Sequence, residues 1–377
     1  MDGIPALIDK TFPLPGRFRS ALPSDVAELS RLLTSGRGER TLSYTGRPNM
    51  LSAYIRYFLT WNLYRLCRLL PGLDITLAAN DRITDLGCGP LTFTAALWLS
   101  RPDLRSVPLE FYCIDRSGPV LEAGKKIFTA LASPVGSLWK IHLIKGDLVT
   151  AKTQSAALVC AVNVFNEMYG DISRTACGSA AGDLQRNAKK SVRTLENFAA
   201  ENASILTAEP GFPRCGELIR LMRKAFLENG RSIISPCPHD KDCPFAAKKP
   251  QGAGSKVRER WCHFAFETTD APAALHKLSH SARLPKERAV LSFLYAGPRS
   301  LAPANNETSA RVISDAFPLP HNRYGRYCCS EHGTILLTGE KNHIEKTASG
   351  SLVNVIVKKD KTDAKSGAIL ATQQLTF

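Results

Sequence analysis

At 377 residues, 44% hydrophobic and 22% charged, the chain falls in the globular range and is long enough for two or three domains. A peptide, a fibrous repeat and global disorder are excluded. Lysine and arginine number 49 against 34 aspartates and glutamates, a net +15 that favours a polyanionic partner, nucleic acid first, because neutralised phosphates release their counterions. The longest apolar stretch, Leu51 to Leu70, contains Arg56, Arg65 and Arg68, so no membrane span is predicted. Eleven cysteines, with no apolar signal core between Met1 and Pro15, predict a reducing, cytoplasmic setting. There clustered thiols serve as metal ligands more readily than as disulfides.

Residues 1–80 are predicted as an amino-terminal helical region, with helices over Asp25 to Leu33 and Leu51 to Leu70. The second places Ile55, Phe58, Leu59, Leu63, Leu66 and Leu70 on one apolar face, and Pro71 and Gly72 end it. From Asp81 the pattern becomes short apolar runs alternating with helices: Ile83 to Leu86, Phe111 to Ile114, Ile141 to Ile144, Ala157 to Val164 and Ser204 to Ala208. This is the signature of an α/β domain with a parallel, Rossmann-like sheet, predicted to span 81–296. A cysteine-rich basic insertion interrupts it at about 236–262, carrying Lys248, Lys249, Lys256, Arg258 and Arg260. Strands are predicted at Cys262 to Phe266 and Ala289 to Tyr295, then a Pro/Asn-rich linker from Gly297 to Thr308. A small β-rich domain over 309–377 follows, with strands near Arg326 to Cys329, Thr334 to Leu337 and Leu352 to Val357.

Asp85-Leu-Gly-Cys-Gly-Pro90 follows the first strand and precedes a helix at Thr92 to Leu99, the setting a nucleotide-binding turn requires. Gly87 and Gly89 let backbone amides approach a ligand; Asp115, ending the second strand, can accept both hydroxyls of a ribose; Asp147, after the third, falls where an adenine amino group would be bound. The order resembles class I S-adenosylmethionine-dependent methyltransferases rather than dinucleotide dehydrogenases, because Asp85 opens the turn. In that family such a residue helps position the methionine end of the cofactor. Leu91 stands where the family usually has a third glycine, and its bulk is expected to weaken cofactor binding.

Cys237 and Cys243 lie in the proline-braced loop Pro236-Cys-Pro-His-Asp-Lys-Asp-Cys-Pro244; Cys262 follows, and Cys328 and Cys329 offer a fourth thiolate. The set could close a site for zinc or for an iron–sulfur cluster, with His239 and His263 as replacement ligands, as donors beside it or as surface residues.

Together, the turn at 85 to 90, Asn166-Glu167, Glu209-Pro-Gly-Phe-Pro213, the 237 to 244 cysteine block and the Cys328-Cys329 pair ahead of Gly333 resemble the methyltransferase-like assembly factors of the mitochondrial small ribosomal subunit and their bacterial relatives. The resemblance implies a methyltransferase core, a 4Fe-4S site on Cys237, Cys243, Cys262 and Cys328, and association with small-subunit rRNA in the assembling subunit, the chain being monomeric away from it. Two functions remain open. One is an assembly factor that binds rRNA, S-adenosylmethionine and a cluster; the other is an active rRNA methyltransferase. Asn163-Val-Phe-Asn-Glu-Met stands where an amino-directed base methyltransferase carries Asn/Asp-Pro-Pro-aromatic. A pyrimidine-C5 enzyme needs a cysteine nucleophile, and the metal site claims Cys237. No catalytic residue is assigned, and the balance favours the assembly factor.

Overall fold

The structure is a computed structural model that describes residues 1–34, 46–169, 180–245, 261–301 and 308–374. In chain order it opens with α1 (Gly3–Thr11), α2 (Gly16–Leu33), α3 (Pro48–Ala53), a π-helical stretch (Tyr54–Leu59) and α4 (Thr60–Leu69). Next come β1 (Arg82–Leu86), α5 (Thr92–Ser100), β2 (Glu110–Asp115), α6 (Gly118–Ala132), β3 (Lys140–Lys145), β4 (Ala156–Val162), α7 (Phe165–Met168), α8 (Ala180–Glu196) and β5 (Ala199–Pro210). Then follow α9 (Pro213–Glu228), β6 (Ser232–Ser235), β7 (Phe264–Glu267), α10 (Ala273–Ser281), β8 (Arg288–Gly297), β9 (Ser309–Val312), β10 (Phe317–Leu319), β11 (Arg323–Ser330), β12 (Gly333–Gly339), α11 (Lys341–Lys346), β13 (Leu352–Thr362) and β14 (Ile369–Gln373). The chain divides into two compact units, Met1–Glu209 with Phe266–Val290, and Pro210–Ala265 with Leu291–Phe377.

In the first unit β3, β2, β1, β4 and β5 lie side by side in that order, every neighbouring pair parallel. The chain moves outward from β1 to β3, then returns to start again at β4. That reversal makes a crevice at the carboxyl ends of β1 and β4, where open α/β sheets bind ligands. The strands read as nearly unbroken apolar runs because helices cover both faces. The amino-terminal helices are not a separate body. Leu22, Val26 and Leu29 of α2 and Tyr57, Trp61 and Tyr64 of the following helices share one buried cluster with Leu275 and Ala289. Tyr57 Oη donates to the Leu284 carbonyl at 3.0 Å and Trp61 Nε1 to Ser279 Oγ at 3.2 Å. Among the described residues no helix is long and apolar enough to cross a membrane.

In the second unit β6 runs antiparallel to β8. The carboxy-terminal strands form a closed barrel: β9 pairs β11, β11 pairs β12, β12 pairs β14, β14 pairs β13, and β13 returns to β9. All of these pairings are antiparallel except β12–β14. Ala310, Val312, Cys328, Ile335, Leu337, Val353, Val355 and Ala371 fill the interior, and Ile344 of α11 packs with them.

Candidate functional site

A cavity of about 290 Å³ opens at the switch point of the first unit, walled by the 87–89 turn, Asp115 to Ser117, Gly146, Leu148, Val162 to Val164, Glu167, Met168, Tyr54 and Asn62. Gly87 and Gly89 have φ of +60° and +53°, the left-handed region, and a Cβ on Gly87 would sit 2.7 Å from Val164 Cγ2. Asp115 is at the rim. Its two carboxylate oxygens accept from the backbone amides of Gly89 at 3.0 Å and Ser117 at 2.9 Å, which locks the turn to the end of β2. Burial raises the Asp115 pKa, and these two amides oppose the rise.

Tyr54 and Asn62 face the cavity together because of the π turn between them. Eight residues along an uninterrupted α-helix, at about 100° each, would leave the two side chains roughly 80° apart. The extra residue that a π turn accommodates absorbs most of that angle. One regular helix over Leu51 to Leu70, as the sequence predicts, would not bring both residues to the cavity.

Leu91 does not obstruct the cavity. It is fully buried with φ of +56° and is not on the wall. It packs beneath the turn, where Gly124 of α6 leaves room: a Cβ there would lie 2.7 Å from Leu91 Cδ1 and 2.4 Å from the Pro90 carbonyl carbon. Asp147 is also off the wall, although Gly146 and Leu148 are on it. Its carboxylate accepts from the Val149 amide at 2.8 Å and pairs with Arg116, contacts that hold its pKa below the usual range.

Asp85 lies behind the turn rather than in the cavity, fully buried, with Oδ1 lacking a hydrogen-bond partner among the described residues. Burial pushes its pKa up to about 7. Glu209, at the end of β5, is likewise buried and pushed up to about 7. It accepts from the Phe165 amide at 2.8 Å and from Asn166 Nδ2 at 2.7 Å, so it anchors the segment that forms one wall of the cavity. A folded state that keeps a proton which the unfolded chain has released loses stability as pH rises. For Asp85 that window runs from its ordinary value of 3.8 to about 7. Asp85→Asn should therefore flatten the fall in unfolding free energy between about pH 4 and pH 7, by on the order of a few kcal/mol, measured by denaturant titration. An unchanged slope would show that Asp85 is ionised in the folded protein.

The second unit gathers thiols. Burial raises the Cys243, Cys262 and Cys329 pKa values, and the thiolate charges add to it: Cys237 acts on all three, and Cys243 and Cys262 act on Cys329. Cys237, Cys243, Cys262 and Cys329 thus lie within electrostatic reach of one another. Cys328 does not. It is a barrel-interior residue, and burial alone pushes it to about 12, against the pull of Arg326. Successive strand residues face opposite ways, so one of the pair fills the barrel and the other leaves it. Cys328, the residue predicted as the fourth thiolate, fills the barrel, and Cys329 is the one of the pair coupled to the other thiols. Among the described residues, no three His, Cys, Asp or Glu side chains form a group able to hold a single metal ion.

Two arginines fix the cysteine loop. Arg223, buried on α9, donates from Nε to Cys237 Sγ at 3.2 Å and from Nη2 to the His239 and Lys241 carbonyls at 2.8 and 2.7 Å. Arg311 of β9 donates to the carbonyls of Pro236 at 2.7 Å and Gly350 at 2.8 Å. Neither was singled out from the sequence, where a lone arginine on an amphipathic helix reads as a solvent contact. His239 Nε2 lies 3.6 Å from Cys329 Sγ, and burial with the Arg223 charge holds its pKa down at about 4. His263 stacks on Trp261, ring centroids 4.9 Å apart. Lys248, Lys249, Lys256, Arg258 and Arg260 lie outside the described residues.

The profile of the family described as "Mitochondrial small ribosomal subunit Rsm22" matches residues 81–334, more than half of the chain. Curated proteins gave no match. Solved structures give distant likenesses. The ribosomal protein L11 methylase of Lactobacillus delbrueckii subsp. bulgaricus is 12% identical, over 45% of this chain and 70% of its own, with a TM-score of 0.30. The plantazolicin methyltransferase BpumL, solved with SAH, is 11% identical, over 75% of this chain and 100% of its own, at 0.33. PKMT2 of Rickettsia typhi, solved with AdoHcy, is 16% identical, over 45% of this chain and 28% of its own, at 0.25. At such scores these likenesses bear no weight. The strand order and the switch-point cavity carry the class I assignment.

Proposed function

The chain belongs to the family of mitochondrial small ribosomal subunit Rsm22, and from that premise we propose that it is a small-subunit assembly factor that binds rRNA, holds S-adenosylmethionine in the switch-point cavity and uses an iron–sulfur cluster to brace its second unit. It works as a monomer that joins the pre-ribosomal subunit. The observation that carries the non-catalytic reading is the cavity wall after β4. Asn163 there has φ of +59°, donates its amide to the Ala208 carbonyl at 2.7 Å, and is followed by Val164 wedged against Gly87. That wall has no proline-braced pair of acceptors for an exocyclic amine. Its one cysteine among the described lining residues, Cys88, is held well above the ordinary thiol pKa by burial, so it is a poor nucleophile.

The cavity fits the cofactor. Gly87 and Gly89 leave the turn bare, and Asp115 presents at the rim a carboxylate suited to a pair of ribose hydroxyls. Bound there, S-adenosylmethionine would supply an electrophilic methyl group. Asp85 and Asp147 support this site from outside it, Asp85 from beneath the turn and Asp147 by holding Arg116.

Cys237, Cys243, Cys262 and Cys329 would hold the cluster. Four thiols that act on one another electrostatically, in a loop braced by prolines, supply the soft ligand set that an iron–sulfur cluster takes. Arg223 and Arg311 position the loop and offset thiolate charge. The test of function is to compare small-subunit rRNA methylation and subunit maturation in cells with and without the protein. Loss of maturation with an unchanged methylation pattern is expected, and loss of one specific methyl group would make the protein an enzyme.

A further inference from the structure

The barrel of the second unit has a specific connectivity. Taking β9, β11, β12, β13 and β14 as strands one to five, the closure runs 1-2-3-5-4-1, strands three and five are the parallel pair, and helix α11 lies between strands three and four. This is the arrangement of the OB-fold, a barrel that binds oligonucleotides through its outer face and the loops between strands one and two and between four and five. Here the outer face of strands two and three is largely closed. Leu336 is buried, Cys329 joins the thiols, and β10 adds to the edge of β11 with Leu319 against Gly325.

Strand four is open. Val353 and Val355 point into the barrel, so Leu352, Asn354, Ile356 and Lys358 point out, and Leu352 and Ile356 are 52% and 54% exposed. The end of the strand carries Lys359 and Lys361 on either side of Asp360, and Lys365 follows in the turn to β14. Of the two acids there, Asp363 is engaged within the turn by the Ser366 amide at 2.7 Å and its hydroxyl at 2.5 Å. The family match ends at residue 334, before this strand.

We propose that the outward face of β13 and the β13–β14 turn bind a single-stranded segment of rRNA, with bases on Leu352 and Ile356 and phosphates on Lys358, Lys361 and Lys365. This rests on the assembly-factor reading and names one of its RNA contacts. Charge complementarity selects a nucleic acid. The exposed aliphatic pair selects unpaired strands, since a duplex shows only its backbone and grooves to such a surface while a single strand offers base faces.

Fluorescence anisotropy of the full chain with a labelled oligouridylate, and with a hairpin duplex of equal length, tests this across a salt series. The native protein should prefer the single strand. Replacing Lys358, Lys361 and Lys365 together by Gln should flatten the slope of log affinity against log salt by about two units, at roughly 0.7 per phosphate on a single strand. Ile356→Ser should weaken binding several-fold at an unchanged slope. All four residues lie at the surface, and an unchanged melting temperature would verify that the variants fold. If the triple variant keeps native affinity and slope, this face is not the RNA site, while the assembly reading stands. If it keeps oligonucleotide binding but no longer comigrates with small subunits, the face docks a protein and the proposal is overturned. If the native protein binds no small-subunit rRNA at all, the underlying reading fails and takes this one with it.

Discussion

Cys329→Ser should abolish the bound cluster, while Cys328→Ala leaves it in place. Protein purified without oxygen is expected to be brown, with iron and acid-labile sulfide in equal amounts. The two cysteines are adjacent in sequence, yet Cys328 pairs across the ladder with Ile335 and Val312 in the barrel interior, and Cys329 sits among the other thiols. Removing the interior thiol costs packing alone, about 1 kcal/mol. Removing the outer one would cost a ligand of the proposed cluster, and because metal-binding free energy is folding free energy, soluble yield should fall with the iron. Iron retained in Cys329→Ser and lost in Cys328→Ala would reverse the assignment. A colourless protein with stoichiometric zinc would replace the cluster by a zinc site.

Asp115→Ala should weaken S-adenosylmethionine binding by about 1.5–3 kcal/mol, on the order of ten- to a hundred-fold, as expected when hydrogen bonds to a charged acceptor are lost. The same carboxylate accepts the Gly89 and Ser117 amides, so the turn should also loosen, and Asp115→Asn should recover part of the affinity. Isothermal titration calorimetry reads both. Saturation by the native protein with no change in Asp115→Ala would remove Asp115 from the site. No saturation by the native protein at millimolar cofactor would remove the cofactor, and Leu91, buried away from the cavity, would not be the reason.

The parallel strands and the glycine turn were readable because a strand covered on both faces must be a short apolar run, and a turn with positive φ that leaves its backbone bare to a ligand favours glycine. Gly124 could not be paired with Leu91 without the fold, since the two meet across α6 and the turn. The sequence could not separate the surroundings of Cys328 from those of Cys329 for a related reason. Strand alternation names the inward face only when that face is apolar, and here it carries Arg326, buried and donating to the Ile344 and Ser314 carbonyls at 2.7 and 2.8 Å. The outward face meanwhile holds buried Cys329. The barrel itself was visible only as β-rich sequence. Its closing pair joins Ser309–Val312 to Leu352 and its neighbours, and β9 and β10, of four and three residues, are too short to show a period.

The central claim, a methyltransferase fold serving assembly rather than methylation, is tested most directly by mapping small-subunit rRNA modifications by mass spectrometry in three strains: native, deletion, and Asp115→Ala. The account predicts the same methylated nucleotides in all three, with subunit precursors accumulating in the deletion strain. One methyl group missing at the same nucleotide in both the deletion and the Asp115→Ala strain would contradict it.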